Sequence, residues 1–489
     1  MKKILIALLC LTGAGFGHAA SKTNPEATNP EREIWRALLF DGIKVGHMLA
    51  ERNELADRVI TRETMRIDTV RAGVPLRLGS VTEYRETKDG QPLGFRQSQL
   101  TSDQESVVEG SIVNGVLHIE TRVGGLSTRK SMPYPKGALL GEGINQALVR
   151  SGMKPGSEVR LISFDPALLE AIEVVTRFGP RKVVELMDKD VSLIEVEQTI
   201  RYPGFALNVR ASVDDTFDPQ RMSIPLLGMQ MEIVRCSKAC ALAKNQSSDT
   251  LQQLLIKAPK FDAAALHDDA EYLLRSRDGT QLALPEYGEQ QVSRQAGKLW
   301  LHVDADSPSP DPLPKAELAR YLEANEWLQS NVDELKQRAL TLKITDKPLQ
   351  TMQALTQFVR AHIRDKGLAV GYASALEAYQ KQRGDCTEHA LLLAALGRAA
   401  GIPTRVANGF AFTDYYAGQQ RVFVPHAWTQ AYVDGRWRSF DAALDGYDAG
   451  HIAIAVGNGD PARYYAALAF LGNLEIIAAR APKLKAAAR

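Results

Sequence analysis

Charge of neither sign is in excess in this 489-residue chain, which carries 59 basic against 58 acidic side chains. Such a balance leaves no electrostatic footprint for nucleic acid or an anionic membrane, so neither is expected as a partner. Cysteine is scarce, with four residues, too few for a fold stapled together by disulfides. Beyond the first twenty residues no stretch offers the ~18 uninterrupted apolar residues of a spanning helix, which argues against stable membrane insertion. Internal repeats, low-complexity tracts and an acidic loop of calcium-site spacing are also missing. What is present, 45% hydrophobic and 24% charged residues, fits a soluble globular protein. The length exceeds what one hydrophobic core usually serves and favours two or three domains.

The N-terminus has the organisation of a secretory signal peptide over residues 1–19. Lys2 and Lys3 precede an apolar run from Ile4 to Thr12, and Gly17 and Ala19 supply the small residues of a cleavage site. A periplasmic or secreted protein is therefore expected. Cys10 follows Leu9, where a lipoprotein signal would carry a small residue, and reads as part of the apolar run. Cleavage would leave Cys236, Cys240 and Cys386. The first two are close enough to be expected to pair in an oxidising compartment, although this spacing on a regular helix would not suit disulfide geometry. Cys386 is then the odd thiol, either reactive or buried and inert.

From residue 20 to 306 the pattern is mostly of period two, a β-rich region of one or two domains. Asn114-Gly115 between alternating runs is a hairpin signal, and Asp89-Gly90 and Asp278-Gly279 mark further turns. A helical insertion is expected around Ala138 to Arg150. Residues 307–314 hold Pro308, Pro310, Pro312 and Pro314, which suit neither a helix interior nor a central strand and read as a semi-rigid linker. Beyond it, over 315–489, the period becomes helical. Leu318, Tyr321 and Leu322 recur at helical spacing, as do Met352, Leu355, Phe358, Val359 and Ile363, and Asn331 with Glu334 has the spacing of a capping box. The part from about Leu313 onward is expected to complete a core of its own.

The residues that carry chemistry lie in this last part. Gly384-Asp385-Cys386-Thr387-Glu388-His389 leads into an apolar run through Leu396 that closes at Gly401. Asp385 and Glu388 have capping-box spacing, and Gly401 sits where a C-terminal capping glycine belongs. Cys386 is then the first residue of a helix, where unpaired N–H groups and the helix dipole favour a thiolate and could serve an oxyanion. Taken alone, a small residue opening a buried helix is an equally good reading. Farther on, Asp434-Gly435 separates His426–Val433 from Arg436–Asp441 and predicts a two-residue hairpin turn. In that register Val433 faces Arg436 and Asp441 faces Trp428. His426 then shares a face with Asp441, on a diagonal of about 7–8 Å between backbones that side chains can bridge. A slip of one residue would put the two on opposite faces. Cys386, His426 and Asp441 thus qualify as nucleophile, base and orienting carboxylate.

This order of Cys, His and Asp resembles the bacterial transglutaminase-like superfamily. The likeness rests on Gly-Asp-Cys-Thr-Glu-His-Ala opening an apolar helix, and on His-Ala-Trp before Gly-Arg-Trp and Asp. It runs from about Ala316 to Tyr465 and takes in Gly401–Val406 and His451-Ile452-Ala453. It implies an α+β, papain-like cysteine domain behind a β-rich region, acting by acyl transfer or hydrolysis at an amide of a protein or peptide through a thioester. No cofactor or metal is implied. Ala442 and Ala443 depart from the proline and hydroxyl residue that often follow the aspartate in this family. His389, one turn along the helix from Cys386, is a competing base that could not easily reach around to the thiol. Gln380 and Gln382 read as solvated rather than as oxyanion donors, and Trp428 and Trp437 as core or pocket wall. Two alternatives stay open: a non-catalytic periplasmic binding or assembly protein working through its β-rich region, and a cell-wall peptide hydrolase. The oligomeric state is not legible.

Overall fold

A computed structural model describes residues 32–460 and 473–480, apart from positions 72, 102–103, 187–188, 203–204, 227–228, 247–248, 250–253, 262–265, 267, 278, 280–281, 296–297, 307–308 and 368–371. The signal segment and Asp278 of the Asp278-Gly279 turn lie outside the described residues. The chain forms two compact units that divide between Thr250 and Leu251.

The first unit is built on a fourteen-stranded antiparallel sheet. Its strands follow chain order except at one seam, where the first strand, Arg32–Phe40, lies beside the last, Met229–Arg235, in the register Leu38↔Ile233. The expected hairpins are here. Val113 faces Val116 across Asn114 and Gly115, both at positive φ, as a type I′ turn requires. Gly90, also at positive φ, turns the chain between Val74–Glu86 and Pro92–Thr101. The helical insertion is Gly141–Arg150. No side chain of its own caps it; the Glu86 carboxylate accepts from the N–H groups of Glu142 and Gly143 at 2.7 and 2.9 Å. Ile144 and Leu148 from this helix pack with Phe178, Val196 and Phe217.

One face of this sheet buries a polar row. Direct cross-strand pairing aligns Glu63 with Thr82 and Thr82 with Gln97, and all three are buried. Neither Glu63 carboxyl oxygen has a hydrogen-bond partner, nor does Oε1 of Gln97. Burial pushes the Glu63 carboxyl well above its ordinary range, against the opposing pull of Arg36.

The expected disulfide is not formed: Cys236 and Cys240 are both free. Cys240 lies on the short helix Lys238–Leu242, with its N–H bonded to Ser237, so the intervening chain is coiled rather than looped. Burial, followed by the neighbouring thiol, pushes Cys236 up to about 12.

The second unit holds two sheets and five helices among its described residues. The proline-rich segment does not divide the molecule as its composition suggests. Asp269–Ser276 pairs with Leu474–Arg480 near the end of the chain, and Ile256–Lys257 adds a strand beside Gln419–Val433. Residues well before the prolines are thereby built into the C-terminal sheets. Its described part lies along the same unit, with the N–H groups of Ser309 and Asp311 donating to the carbonyls of Gly288 and Gly435. The Asn331–Glu334 capping box is also absent. The helix Asp333–Leu342 has Val332 as its N-cap without a side-chain bond, and Glu334 instead accepts from Gln380.

Candidate active site

Twelve consecutive buried positions make up most of one helix of the second unit. From Thr387 to Arg398 every residue of the helix Cys386–Ala399 is buried, and Cys386 alone at its start is partly exposed. A helix buried on every side belongs in a core, and at its N-terminal end only Cys386 meets solvent. Asp385 caps that end through the Thr387 N–H at 2.8 Å, and Glu388 reaches back to the Asp385 N–H at 2.9 Å, completing the expected box. The other Glu388 oxygen accepts from Ala373, which ties the preceding loop to the helix. Burial, with Asp385 second, raises Glu388 well above the carboxylate range. Gly384 is required here, because a Cβ would stand 2.2 Å from the Glu388 Cβ. At the far end Gly401 takes positive φ, as a capping glycine should.

The helix lies on the five-stranded sheet and is fixed to it by hydroxyls. Thr429 donates to the Ala390 carbonyl at 2.8 Å and Thr404 to that of Ala394 at 2.6 Å. Thr429 is three residues along the strand Gln419–Val433 from His426. The strand turns at Asp434-Gly435, both at positive φ, and returns as Arg436–Phe440 in the register Val433↔Arg436 and Thr429↔Phe440. This is the pairing that the hairpin signal implies. His426 and Asp441 consequently meet, with Nε2 of the imidazole 2.7 Å from Oδ2 of the carboxylate and both residues buried.

A second imidazole, which sequence reasoning did not single out as a site residue, reaches the same oxygen. His451 begins the strand His451–Gly457 and places its Nε2 3.1 Å from Asp441 Oδ2. The strand carrying it pairs with Thr404–Tyr416, which lies between it and the His426 strand. Gly409 on that middle strand faces both neighbours, and a Cβ there would stand 1.9 Å from the Ile452 carbonyl oxygen, so only glycine permits the approach. Burial alone would raise Asp441, but His426 and His451 overcome it and hold the carboxyl well below its ordinary range. Burial likewise lowers His451, and its bonds to Asp441 and Asp448 more than reverse this. One ligand atom from each of His426, Asp441 and His451 lies within 4.8 Å of the others, a spacing a metal could use. Both Nε2 atoms are directed at the same carboxylate oxygen, however, which accounts for the cluster as hydrogen bonding.

His389 is placed differently. Its Nδ1 lies 2.7 Å from the Asp385 carbonyl, its Nε2 has no hydrogen-bond partner, and burial lowers its pKa. It braces the helix start from within. Gln380 points away to Glu334, and Gln382 closes the preceding helix in a left-handed conformation. Trp428 and Trp437 are core, packed with Tyr287 and Tyr321.

Residues 337–442 match the family model of the transglutaminase-like superfamily, a span that includes Cys386, His426 and Asp441. The second unit carries a transglutaminase-like domain. No curated protein matches the chain. Among solved structures, a candidate cysteine protease from Cytophaga hutchinsonii is 18% identical, over 43% of this chain and 86% of its own, with a TM-score of 0.27. The periplasmic domain of TgpA from Pseudomonas aeruginosa, bound to ethylmercury, is 17% identical over 38% and 87%, with a TM-score of 0.26. A β-barrel-like protein from Brucella abortus is 13% identical over 42% and 95%, with a TM-score of 0.34. What the transglutaminase-like domain adds to the sequence pattern is the second clamp on its aspartate. The one advance signal of it was the His451-Ile452-Ala453 stretch within the family likeness.

Proposed function

We propose that this chain is an exported cysteine-dependent enzyme that cleaves or transfers an acyl group at an amide of a protein or peptide. Cys386 is the nucleophile, His426 the base and Asp441 the residue that orients the base. The observation that carries this reading is the 2.7 Å contact between His426 Nε2 and Asp441 Oδ2, on a strand fixed by Thr429 to the helix that Cys386 opens. Because Asp441 holds the proton on Nε2, Nδ1 is left as the basic nitrogen.

The chemistry follows from these placements. His426 takes the thiol proton, and the thiolate, favoured at the helix N-terminus, attacks the amide carbonyl carbon. The tetrahedral oxyanion collapses as His426 returns the proton to the departing nitrogen, giving a thioester and free amine or ammonia. Water or a second amine, deprotonated by His426, attacks the thioester and releases the acyl product with the thiol restored. Hydrolysis and crosslinking differ only in that last nucleophile. The periplasmic setting rests on the signal-like N-terminus.

The experiment is to trap the thioester on the full-length protein incubated with periplasmic extract and to identify the captured acyl group by mass spectrometry. An adduct on Cys386 that is lost in His426→Ala supports the reading. Absence of any adduct, together with a Cys386 that alkylates only at ordinary thiol pH, would overturn it and leave the scaffold reading in its place.

A further inference from the structure

Asp441 stands just beyond the end of Arg436–Phe440, where the strand ladder no longer fixes its backbone. Four donors fix its carboxylate instead. Oδ1 accepts from the N–H groups of Ala443 and Leu444 at 2.7 and 3.1 Å, and Oδ2 accepts from His426 and His451. The terminal torsion of an aspartate is broad and only weakly self-orienting. The backbone donors settle where Oδ1 sits; the direction in which Oδ2 faces His426 needs a restraint from another side.

We propose that His451 is a positioning residue for the reaction at Cys386: by donating to Asp441 Oδ2 it holds the carboxylate where it fixes His426, and Asp448 holds His451. The inference rests on the roles assigned above to Cys386, His426 and Asp441.

His451 is built to have one orientation. It is buried and packs against Trp428 at 5.2 Å and Tyr447 at 4.9 Å between ring centroids, with the His426 ring at 5.6 Å. Its Nδ1 lies 2.9 Å from Asp448 Oδ1, which also accepts from the Gly450 N–H at 2.9 Å. An imidazole with a carboxylate at each nitrogen favours the doubly protonated form, which can donate in both directions. The ionisable groups around it are Asp441 and Asp448 on the loop that precedes it, His426 from the hairpin, Tyr447, and Tyr272, whose hydroxyl donates to the Ala449 carbonyl. Of these ionisable groups only the two carboxylates bond to its nitrogens, and Nδ1 also lies 3.2 Å from the Asp448 backbone carbonyl and 3.3 Å from its N–H. A side chain that merely filled space would need neither carboxylate.

The test is the rate of Cys386 alkylation by iodoacetamide as a function of pH. It is made on the full chain with Cys10, Cys236 and Cys240 replaced by serine so that one thiol reports. His426→Ala supplies the profile of a thiol without its base. His451→Leu should move the rise in rate upward in pH toward that profile, by about one unit, which is a tenfold loss of rate on the rising limb. His451→Gln, which keeps a donor for Asp441, should restore most of it. Asp448→Ala, at a side chain 38% exposed and so tolerant of replacement, should shift the profile in the same direction by less. Thermal melting separates these effects from unfolding, and if His451→Leu does not fold, Asp448→Ala decides the matter. Folded His451→Leu and Asp448→Ala with the wild-type profile, beside a displaced His426→Ala, would overturn the role of His451 alone. A His426→Ala profile identical to wild type would instead overturn the triad on which it rests.

Discussion

The two units treat buried carboxyls in opposite ways. In the large sheet Glu63 is buried with both oxygens unpaired and is driven toward its neutral form by burial. In the transglutaminase-like domain Asp441 is equally buried yet accepts four hydrogen bonds and is kept ionised by two imidazoles. A low dielectric magnifies both situations, penalising the unpaired group and strengthening the paired one. The contrast separates a carboxyl that burdens its fold from one whose charge is held ready for use.

Truncation tests the comparison most severely, because it presumes that each unit stands alone. A chain beginning at Leu251 should fold cooperatively, whereas one beginning at Leu313 lacks the strands Asp269–Ser276 and Lys298–Asp304 and leaves Leu474–Arg480 without its partner. Circular dichroism melting of the two fragments checks this, and a cooperative transition in the shorter one would restore the proline segment as the boundary. Within the second unit, Asp441→Asn should lower turnover by about 10⁴-fold through loss of the correct His426 tautomer, while Cys386 still alkylates. Single-turnover kinetics on a captured substrate measures it.

Smaller effects distinguish the two carboxyls directly. Glu63→Leu should stabilise the first unit by about 1–3 kcal/mol, since an unpaired buried carboxyl is replaced by an apolar group of similar size. Asp441→Leu should destabilise the second, because it strips partners from two buried histidines. Denaturant melting of both variants compares the signs, and equal signs would dissolve the contrast. The mildest expectation concerns pH. Burial raises Glu86 to about 8 in the folded first unit, the two backbone N–H bonds at the helix start opposing it only in part. A raised folded pKa gives stability that is fully present below the unfolded value near 4.5 and is lost as pH climbs to about 8. The first unit should therefore melt higher at pH 5 than at pH 8. Asp441, shifted the other way, contributes stability above its unfolded value that is lost only as pH falls below it. A first unit whose melting is flat from pH 5 to 8 would contradict the direction assigned to Glu86.

The site was legible in the sequence where its geometry is local. An Asp-Gly turn sets the hairpin register, the register puts His426 and Asp441 on one face, and the Asp385–Glu388 spacing starts the helix at Cys386. Each of these signals spans a few residues and meets little tertiary competition. The seam between Arg32–Phe40 and Met229–Arg235, and the pairing of Asp269–Ser276 with Leu474–Arg480, join segments about two hundred residues apart and leave no periodic mark. The prolines at 308–314 therefore look more like a boundary in the sequence than they are in the fold. His451 is not legible as a site residue for a related reason. It returns to Asp441 through an irregular stretch, where no alternation rule says which way a side chain points.

That stretch runs from Asp441 to His451, and its two ends are hydrogen-bonded to each other. A loop whose ends are already clasped can change length at little thermodynamic expense, about 0.6 kcal/mol for each doubling of a flexible segment. Only the part between Leu444 and Tyr447 could therefore be lengthened in related chains, because Ala443, Leu444 and Asp448 work with the clasp to keep the carboxylate and the two imidazoles in register. Variety in length and constancy in the clasp would then reside in adjacent residues, tied together at one shared carboxylate oxygen.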